Sequence, residues 1–586
     1  MRYHALAADY DGTLAHHGVI DEDTWAALRK LKESGRKLIM VTGRELDELL
    51  ALLEHPEVFD RIVAENGALV YTPSTKQTRN LAPGPPAAFV AELQKRGVER
   101  ISVGRVIVAT WEPHQDTVLH VIHDQGLELQ VIFNKGAVMI LPSGVNKASG
   151  LAAALTDLRL SPHNVVGIGD AENDHALLSY CECGVAVANS LPALRHAADL
   201  VTKGPHGHGI AELVEHLLTD DLAVTNGRLK RHRVLLGKSD NKEISLDPYA
   251  TCAMVCGTSG SGKSTLTTGL LERLNAGGYQ FAIIDPEGDY ATLDFAVVLG
   301  GPSRAPLVEE VLDVLADPSR NVVINMLGVA VDHRPEFCAH LLPALAELRS
   351  RTGRPHFLVI DEAHHMLPAS WTPANEIPVR PHGTLYVTVH PGSVAPSIIG
   401  SIESVLAVGE HPERTLNELA QVAKVEMPSC PEIDRLEPGH AMYWKLGNDP
   451  IEVATEPPHG ERTRHSRKYT EGNLGHERSF FFRGREGKLK LKAHNLHLFM
   501  HIAEGIDDDT WTYHLQCGDY SRWLRVEVKD VGLADAVAVV EKDKKLSPDE
   551  SRARVRSAIE QRYTLPSDKA SGLIDPPPPP PKRAQA

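Results

Sequence analysis

Two clusters of residues have the types and spacing for phosphate chemistry. Near the middle of the chain Gly257, Thr258, Ser259, Gly260, Ser261, Gly262, Lys263, Ser264 and Thr265 read GTSGSGKST, the spacing of a phosphate-binding P-loop. The glycines let the backbone wrap a phosphate, and the amide groups of a helix start offer it positive ends. Lys263 is placed to reach the β- and γ-phosphates of ATP, and the Ser264 hydroxyl to hold Mg2+. At the other cluster a short apolar run enters Asp9-Tyr10-Asp11-Gly12-Thr13. While the chain stays extended, residues two apart point the same way, so Asp9 and Asp11 share one site. Two carboxylates there repel each other unless a cation or a proton holds them.

The elements that must position the first cluster are strands ending in polar residues. His4 to Ala8 runs into Asp9, and Lys37 to Val41 ends at Thr42-Gly43-Arg44. Lys147 opens a helix after Pro142-Ser143-Gly144, and Val165 to Ile168 ends in Gly169-Asp170-Ala171-Glu172-Asn173-Asp174. Helical segments intervene. This is a doubly wound α/β pattern with its polar residues at the carboxyl ends of the strands, where such folds bind ligands.

With DYDGT, the Thr42 cluster, Lys147 and GDAEND in that order, residues 1–218 resemble the haloacid dehalogenase-like phosphatases. The resemblance implies that Asp9 is a nucleophile forming an aspartyl-phosphate, and that Asp11 is the acid and then the base. It makes Thr42, Gly43 and Lys147 phosphate ligands. It gives Mg2+ to Asp9, Asp170 and the Asp11 carbonyl, with Asp174 in support. About 100 residues separate Thr42 from Lys147, more than one crossover needs. The excess, 72–146, holds β-like runs at 105–110, 127–133 and 137–141 and a helix near 86–96. It looks like an inserted α/β cap of the Cof-type or sucrose-phosphatase-like branch, and Ala64-Glu65-Asn66-Gly67-Ala68 just before it supports that placement. A cap that closes over a site favours small phosphorylated metabolites and excludes water. Cap residues such as His114 and Lys135 read as surface polar groups within reach of a substrate.

Residues 225–455 surround the P-loop. The segment 228–245 begins with the basic run Lys230-Arg231-His232-Arg233 and reads as a linker or a first strand and turn. A strand precedes the loop at 251–256 and a helix follows at 266–274. Strands are expected at 280–284, ending DPEGDY, at 321–326, and at 356–360, ending Asp361-Glu362-Ala363-His364. An apolar strand ending Asp-Glu is a Walker B pattern, with Asp361 on Mg2+ and Glu362 polarising the attacking water. A fifth strand, 384–389, ends at His390. With one strand between DPEGDY and Walker B, this region resembles the RecA-like P-loop ATPases, and IIDPEGDY with VIDEAH is similar to the HerA/FtsK motors. That likeness implies a homo-oligomer, a hexamer, and puts His390 in the sensor position usually held by Gln. Arg351, Arg354, Arg380 and Arg414 are candidates for an arginine finger. His364 and His365 read as structural.

Residues 456–565 begin with the basic linker 461–468 and turn helical from Leu491. Trp511, Tyr513, Tyr520 and Trp523 suit a small helical core better than base stacking. The tail 566–586, with prolines at 576–581, is expected to be extended and disordered.

The chain has 586 residues and a formal net charge of −16. That balance argues against a surface that binds nucleic acid throughout, while leaving room for a local basic pore. Seven scattered cysteines show no zinc spacing, and with no signal peptide or membrane-spanning run the expected place is the cytoplasm. Two readings follow. In the first, a Mg2+-dependent phosphomonoesterase for a small, sugar phosphate-like metabolite is coupled to an ATPase. In the second, a nucleic-acid translocase carries a phosphatase head, in DNA processing or defence against foreign DNA. A regulatory scaffold would show damage at Lys263, Asp361 or Glu362, and a kinase–phosphatase fits the Asp-Glu pair poorly. Complete phosphatase motifs favour the first.

Overall fold

The structure is a computed structural model that describes residues 1–225, 229, 231–258, 260–370, 382–458, 478–485, 487, 489–528 and 530–562. Ser259, Arg228, Lys230, Arg380, the segment 461–468 and the tail 566–586 lie outside the described residues. The chain divides into two compact units between Glu456 and Pro457.

The first unit holds two α/β halves. Its N-terminal half is built on an eight-stranded sheet. Ala5–Ala8 lies in the middle, paired in parallel with Val165–Gly169 on one side and Lys37–Val41 on the other. All four residues of Ala5–Ala8 are buried, as a strand covered by helices on both faces requires. This order brings the carboxyl ends of all three strands, and hence Asp9, Thr42 and Asp170, to one edge. Lys147 starts the helix Lys147–Leu158, where Asn146 and Ser149 form a reciprocal capping box. Gly67 stands at φ +100, and a Cβ there would lie 1.9 Å from the Asn146 carbonyl, so the approach to Lys147 demands glycine.

The cap is a four-stranded antiparallel sheet in the order Ser102–Val103, Val108–Trp111, Ala137–Pro142, Leu129–Asn134. The run expected at 105–110 starts as a strand only at Val108, because three amides before it are bound by Glu65. Asn134 pairs with Ala137, so Lys135 and Gly136, both at positive φ, make a two-residue hairpin tip of the type I′ kind.

The second half is built on an eleven-stranded mixed sheet. Cys252–Cys256, which leads into the P-loop, pairs in parallel with Thr384–Thr388 and Ser404–Ala407. Phe357–Ile360 pairs with Thr384–Thr388 on one side and Phe281–Asp285 on the other. A strand thus stands between the P-loop strand and the Asp361 strand. The expectation of one strand between DPEGDY and Walker B is corrected. Two intervene in the chain, Ala296–Gly300 and Asn321–Asn325, and none in the sheet. Among the described residues Ala296–Gly300 pairs only with Asn321–Asn325, and its half-buried residues carry a weaker pattern than an inner strand. Val234–Ser239 and Lys242–Leu246 form the strand-and-turn alternative for 228–245.

Among the described residues of the second unit, five helices, from Leu496–Gly505 to Pro548–Arg562, pack around Phe499, Trp511, Tyr520 and Leu524. Leu491–Ala493 is not helical; it pairs antiparallel with Phe480–Phe482, and the helix waits for the Asn495 cap. No described helix is long and apolar enough to cross a membrane.

Candidate active sites

At the edge of the N-terminal sheet, Lys147 is 1% exposed and donates to Asp9 Oδ1 at 2.5 Å and to Asp174 Oδ1 at 2.6 Å. The other Asp174 oxygen accepts from the amides of Asp170 and Ala171, both at 2.9 Å. Asp174 therefore orients the lysine and the loop that carries Asp170. Ligand oxygens of Asp9, Asp170 and Asp174 lie within 4.8 Å of one another, all buried. Burial pushes Asp9 above the usual carboxylate range, Asp174 adds to that, and Lys147 opposes it. Burial raises Asp170 as well, against the pull of Lys135.

Lys135 reaches this cluster from the cap. Its ammonium donates to Asp170 Oδ2 at 2.8 Å and to the Asp11 carbonyl at 3.2 Å. A cation thus already lies against two oxygens of the expected metal set. Three carboxylates facing Lys147 and Lys135 leave one negative charge unbalanced; a divalent ion in place of the Lys135 ammonium removes it. The donor set fits Mg2+, a hard cation that takes carboxylate and carbonyl oxygens. His114, the other cap residue singled out, caps a helix and accepts from the Glu99 amide instead.

Both Asp11 carboxylate oxygens accept from Arg44, at 2.7 and 2.8 Å. Thr42 is fully buried, and its hydroxyl oxygen accepts from the Arg44 amide at 3.2 Å. A Cβ on Gly43 would meet Met139 of the cap at 3.0 Å. His206 and Asn189 each donate to the Gly12 carbonyl at 2.8 Å, and His206 stacks on His16. Sequence reasoning gave no role to Arg44, Glu65, His206 or Asn189. Arg44 stood beside Thr42 and Glu65 in a quoted motif; the other two carry no local signal.

In the second half, Gly257 and Gly262 take positive φ, and a Cβ on Gly257 would meet the Val408 carbonyl at 2.1 Å. Gly260 also has positive φ, and Ser261 donates its amide to the Thr258 carbonyl. Lys263 Nζ donates to the carbonyls of Gly257 and Thr258 at 2.9 and 3.1 Å, across the loop that a phosphate would fill. Burial lowers its pKa against the pull of Glu362 and Asp361. Ser264 donates to Asp289 at 3.4 Å, and Thr265 follows in the helix Lys263–Ala276. Asp361 is raised well above the carboxylate range by burial, then by Glu362, Asp285 and Asp289. That acidic group beside Lys263 and Ser264 suits a magnesium nucleotide. Glu362 takes the left-handed conformation, and its carboxylate lies 3.5 Å from His364 Nδ1. His390 is exposed and close enough to His364 to help lower it, behind burial and His365. Arg351 and Arg414 are exposed beside Glu347 and Glu413. Arg354 is removed from the finger candidates: it is 1% exposed and donates to Gln280 and to the carbonyls of Leu315 and Arg159.

The family described as haloacid dehalogenase-like hydrolase matches residues 6–101 and 122–214. A phosphoglycolate phosphatase of Natronomonas pharaonis is 31% identical over 223 residues, covering 36% of this chain and 96% of the relative. The chain belongs to the haloacid dehalogenase-like hydrolases. Its hydrolase region is also 29% identical to a phosphoglycolate phosphatase of Methanothermobacter thermautotrophicus, over 36% of this chain and 98% of that one. A solved HAD subclass IIB sugar phosphatase is 20% identical with TM-score 0.32, covering 36% of this chain and 98% of that chain. Beyond the hydrolase region, an AAA domain matches residues 247–380.

Proposed function

We propose that the chain is a Mg2+-dependent phosphomonoesterase joined to an ATP-hydrolysing P-loop domain. The observation that carries the reading is the buried Asp9–Lys147–Asp174 group with Asp170 beside it, roofed by a cationic cap residue. Asp9 attacks phosphorus, forms an aspartyl-phosphate and expels the alcohol, which takes a proton from Asp11. Water then attacks the phosphoryl group, gives its proton to Asp11 and releases phosphate. Lys147, Thr42 and the Gly43 amide hold the phosphoryl oxygens. Mg2+ bound by Asp9, Asp170 and the Asp11 carbonyl would neutralise the charge that otherwise repels the nucleophile.

The mouth of the site carries Arg44 and Lys135. Cations there suit a substrate with a second anionic group, and the relatives' names make 2-phosphoglycolate the first compound to try, followed by sugar phosphates. In the P-loop half, Ser264 and Asp361 hold Mg2+, Glu362 activates water and His390 senses the nucleotide. An assembly of the HerA/FtsK kind, with a hexameric ring, extends the same reading.

The test is phosphate release from 2-phosphoglycolate and a sugar-phosphate panel, run beside ATP hydrolysis with and without duplex DNA. A panel hit with DNA-indifferent ATPase supports the reading. A silent panel with strong DNA stimulation overturns it in favour of a translocase.

A further inference from the structure

Where the two halves of the first unit meet, a group of side chains that neither site uses converges on one point. Glu182 is 2% exposed. Its Oε1 accepts from Arg2 at 2.5 Å. Its Oε2 lies 2.7 Å from His163 Nδ1, 3.0 Å from the Tyr279 hydroxyl and 3.9 Å from His232 Nδ1. His163 and Glu182 come from the hydrolase half, His232 from the joining segment and Tyr279 from the P-loop half.

The far ring nitrogens decide the chemistry. His163 Nε2 lies 2.7 Å from the Gly277 carbonyl oxygen, and His232 Nε2 3.2 Å from that of Cys181. A carbonyl only accepts, so each Nε2 carries the ring hydrogen. In a neutral ring Nδ1 is then a lone pair, and both lone pairs face the carboxylate, itself an acceptor. Three acceptors around one point require a cation or an added proton between them. Imidazoles anchored through the other nitrogen on backbone carbonyls, with a carboxylate held by Arg2, have the outer-shell support of metal ligands. Zinc bonds of about 2.0–2.2 Å in a tetrahedron space the ligand atoms about 3.3 Å apart. The separations of 2.7 and 3.9 Å seen here bracket that spacing.

We propose that His163, Glu182 and His232 bind one divalent transition-metal ion, zinc by their donor set, with the Tyr279 hydroxyl at the fourth position. The ion pins the hydrolase half to the P-loop half, apart from both active sites.

The full chain is grown with zinc, desalted through chelator-treated resin and assayed for metal, then titrated with Zn2+ against a chromophoric chelator. One zinc per chain is expected, kept in Asp170→Asn, whose substitution removes a ligand of the hydrolase site. His232→Gln changes a partly exposed ring and removes a direct ligand; it should weaken zinc by at least the roughly 10–100-fold that loss of an outer-shell partner costs. Replacing zinc with Co2+ should give the visible bands of a tetrahedral site, absent in His163→Gln. A wild-type chain without zinc overturns the proposal. So does unchanged affinity in His232→Gln, or loss of zinc in Asp170→Asn alone.

Discussion

Lys147 touches two carboxylates at once, and the proposed mechanism makes Asp9 the one that reacts. Asp9→Asn keeps the shape and removes the nucleophile, so phosphatase turnover should fall by about 10³-fold or more while ATP hydrolysis persists. Equal turnover in the variant would overturn the role of Asp9. Lys263→Ala should act in the opposite sense, abolishing ATP hydrolysis and sparing phosphate release; surviving ATPase would show the loop misread. Lys135 permits a finer test. Its ammonium lies on two oxygens of the proposed Mg2+ site, Asp170 Oδ2 and the Asp11 carbonyl. Lys135→Met should therefore lower the Mg2+ concentration for half-maximal activity severalfold and raise KM for an anionic substrate. An unchanged Mg2+ titration would mean that the ammonium and the ion do not compete. Asp9 and Asp174 were legible because each sits in a short motif, and Lys147 because it falls between those motifs in the order of the family that the chain resembles. Lys135 was legible only as a cap residue within reach of a substrate; its contact with the Asp11 carbonyl was not, since 124 residues separate the two and only the folded hairpin joins them.

At the scale of elements, one core side chain binds three successive amides of the cap. Glu65, at positive φ, accepts from the amides of Arg105, Val106 and Ile107 at 3.0, 2.7 and 3.0 Å. Glu65→Ala leaves three donors without that acceptor, each costing about 1–3 kcal/mol where water cannot reach it. The cap should loosen before the core does. Hydrogen exchange should show amides 105–107 losing protection with the core sheet unchanged, and turnover should drop as closure fails. Equal protection in both proteins would remove Glu65 from this role. The buried parallel strands were readable as apolar runs ending in polar residues, since burial on both faces writes itself into composition. Ala296–Gly300 escaped because it lies at the sheet edge, half-buried. Leu491–Ala493 escaped because a three-residue strand before an Asn cap resembles the first turn of the helix it precedes.

At the scale of the whole first unit, what sequence could not show is the junction between the halves. Arg354 read as a possible finger because an arginine near a P-loop carries no mark of burial. In the fold it crosses the junction to the Arg159 carbonyl. His4 lies under the same junction: its backbone carbonyl accepts from Lys37, and its ring crowds Gly353, where a Cβ would meet it at 3.0 Å. The ring is 4% exposed and bonds the Met1 carbonyl at 3.1 Å. Burial lowers its pKa to about 4; the N-terminus and Arg36 push the same way, while the Met1 carbonyl and Asp221 oppose. The unfolded chain has this group at its ordinary value, about 6.5, so it takes up the proton first as pH falls. The stability that neutral His4 contributes is thus complete above pH 6.5 and is lost as pH drops toward 4. Between pH 6.5 and 5 the loss amounts to about 2 kcal/mol. His4→Gln keeps a donor for the Met1 carbonyl and cannot titrate. Unfolding midpoints measured from pH 7 to 5 should therefore fall more steeply for the wild type than for His4→Gln, because the other buried groups titrate alike in both and cancel in the difference. Parallel curves would show that His4 is hydrated or already protonated in the folded chain, and that the junction does not exclude water at this point.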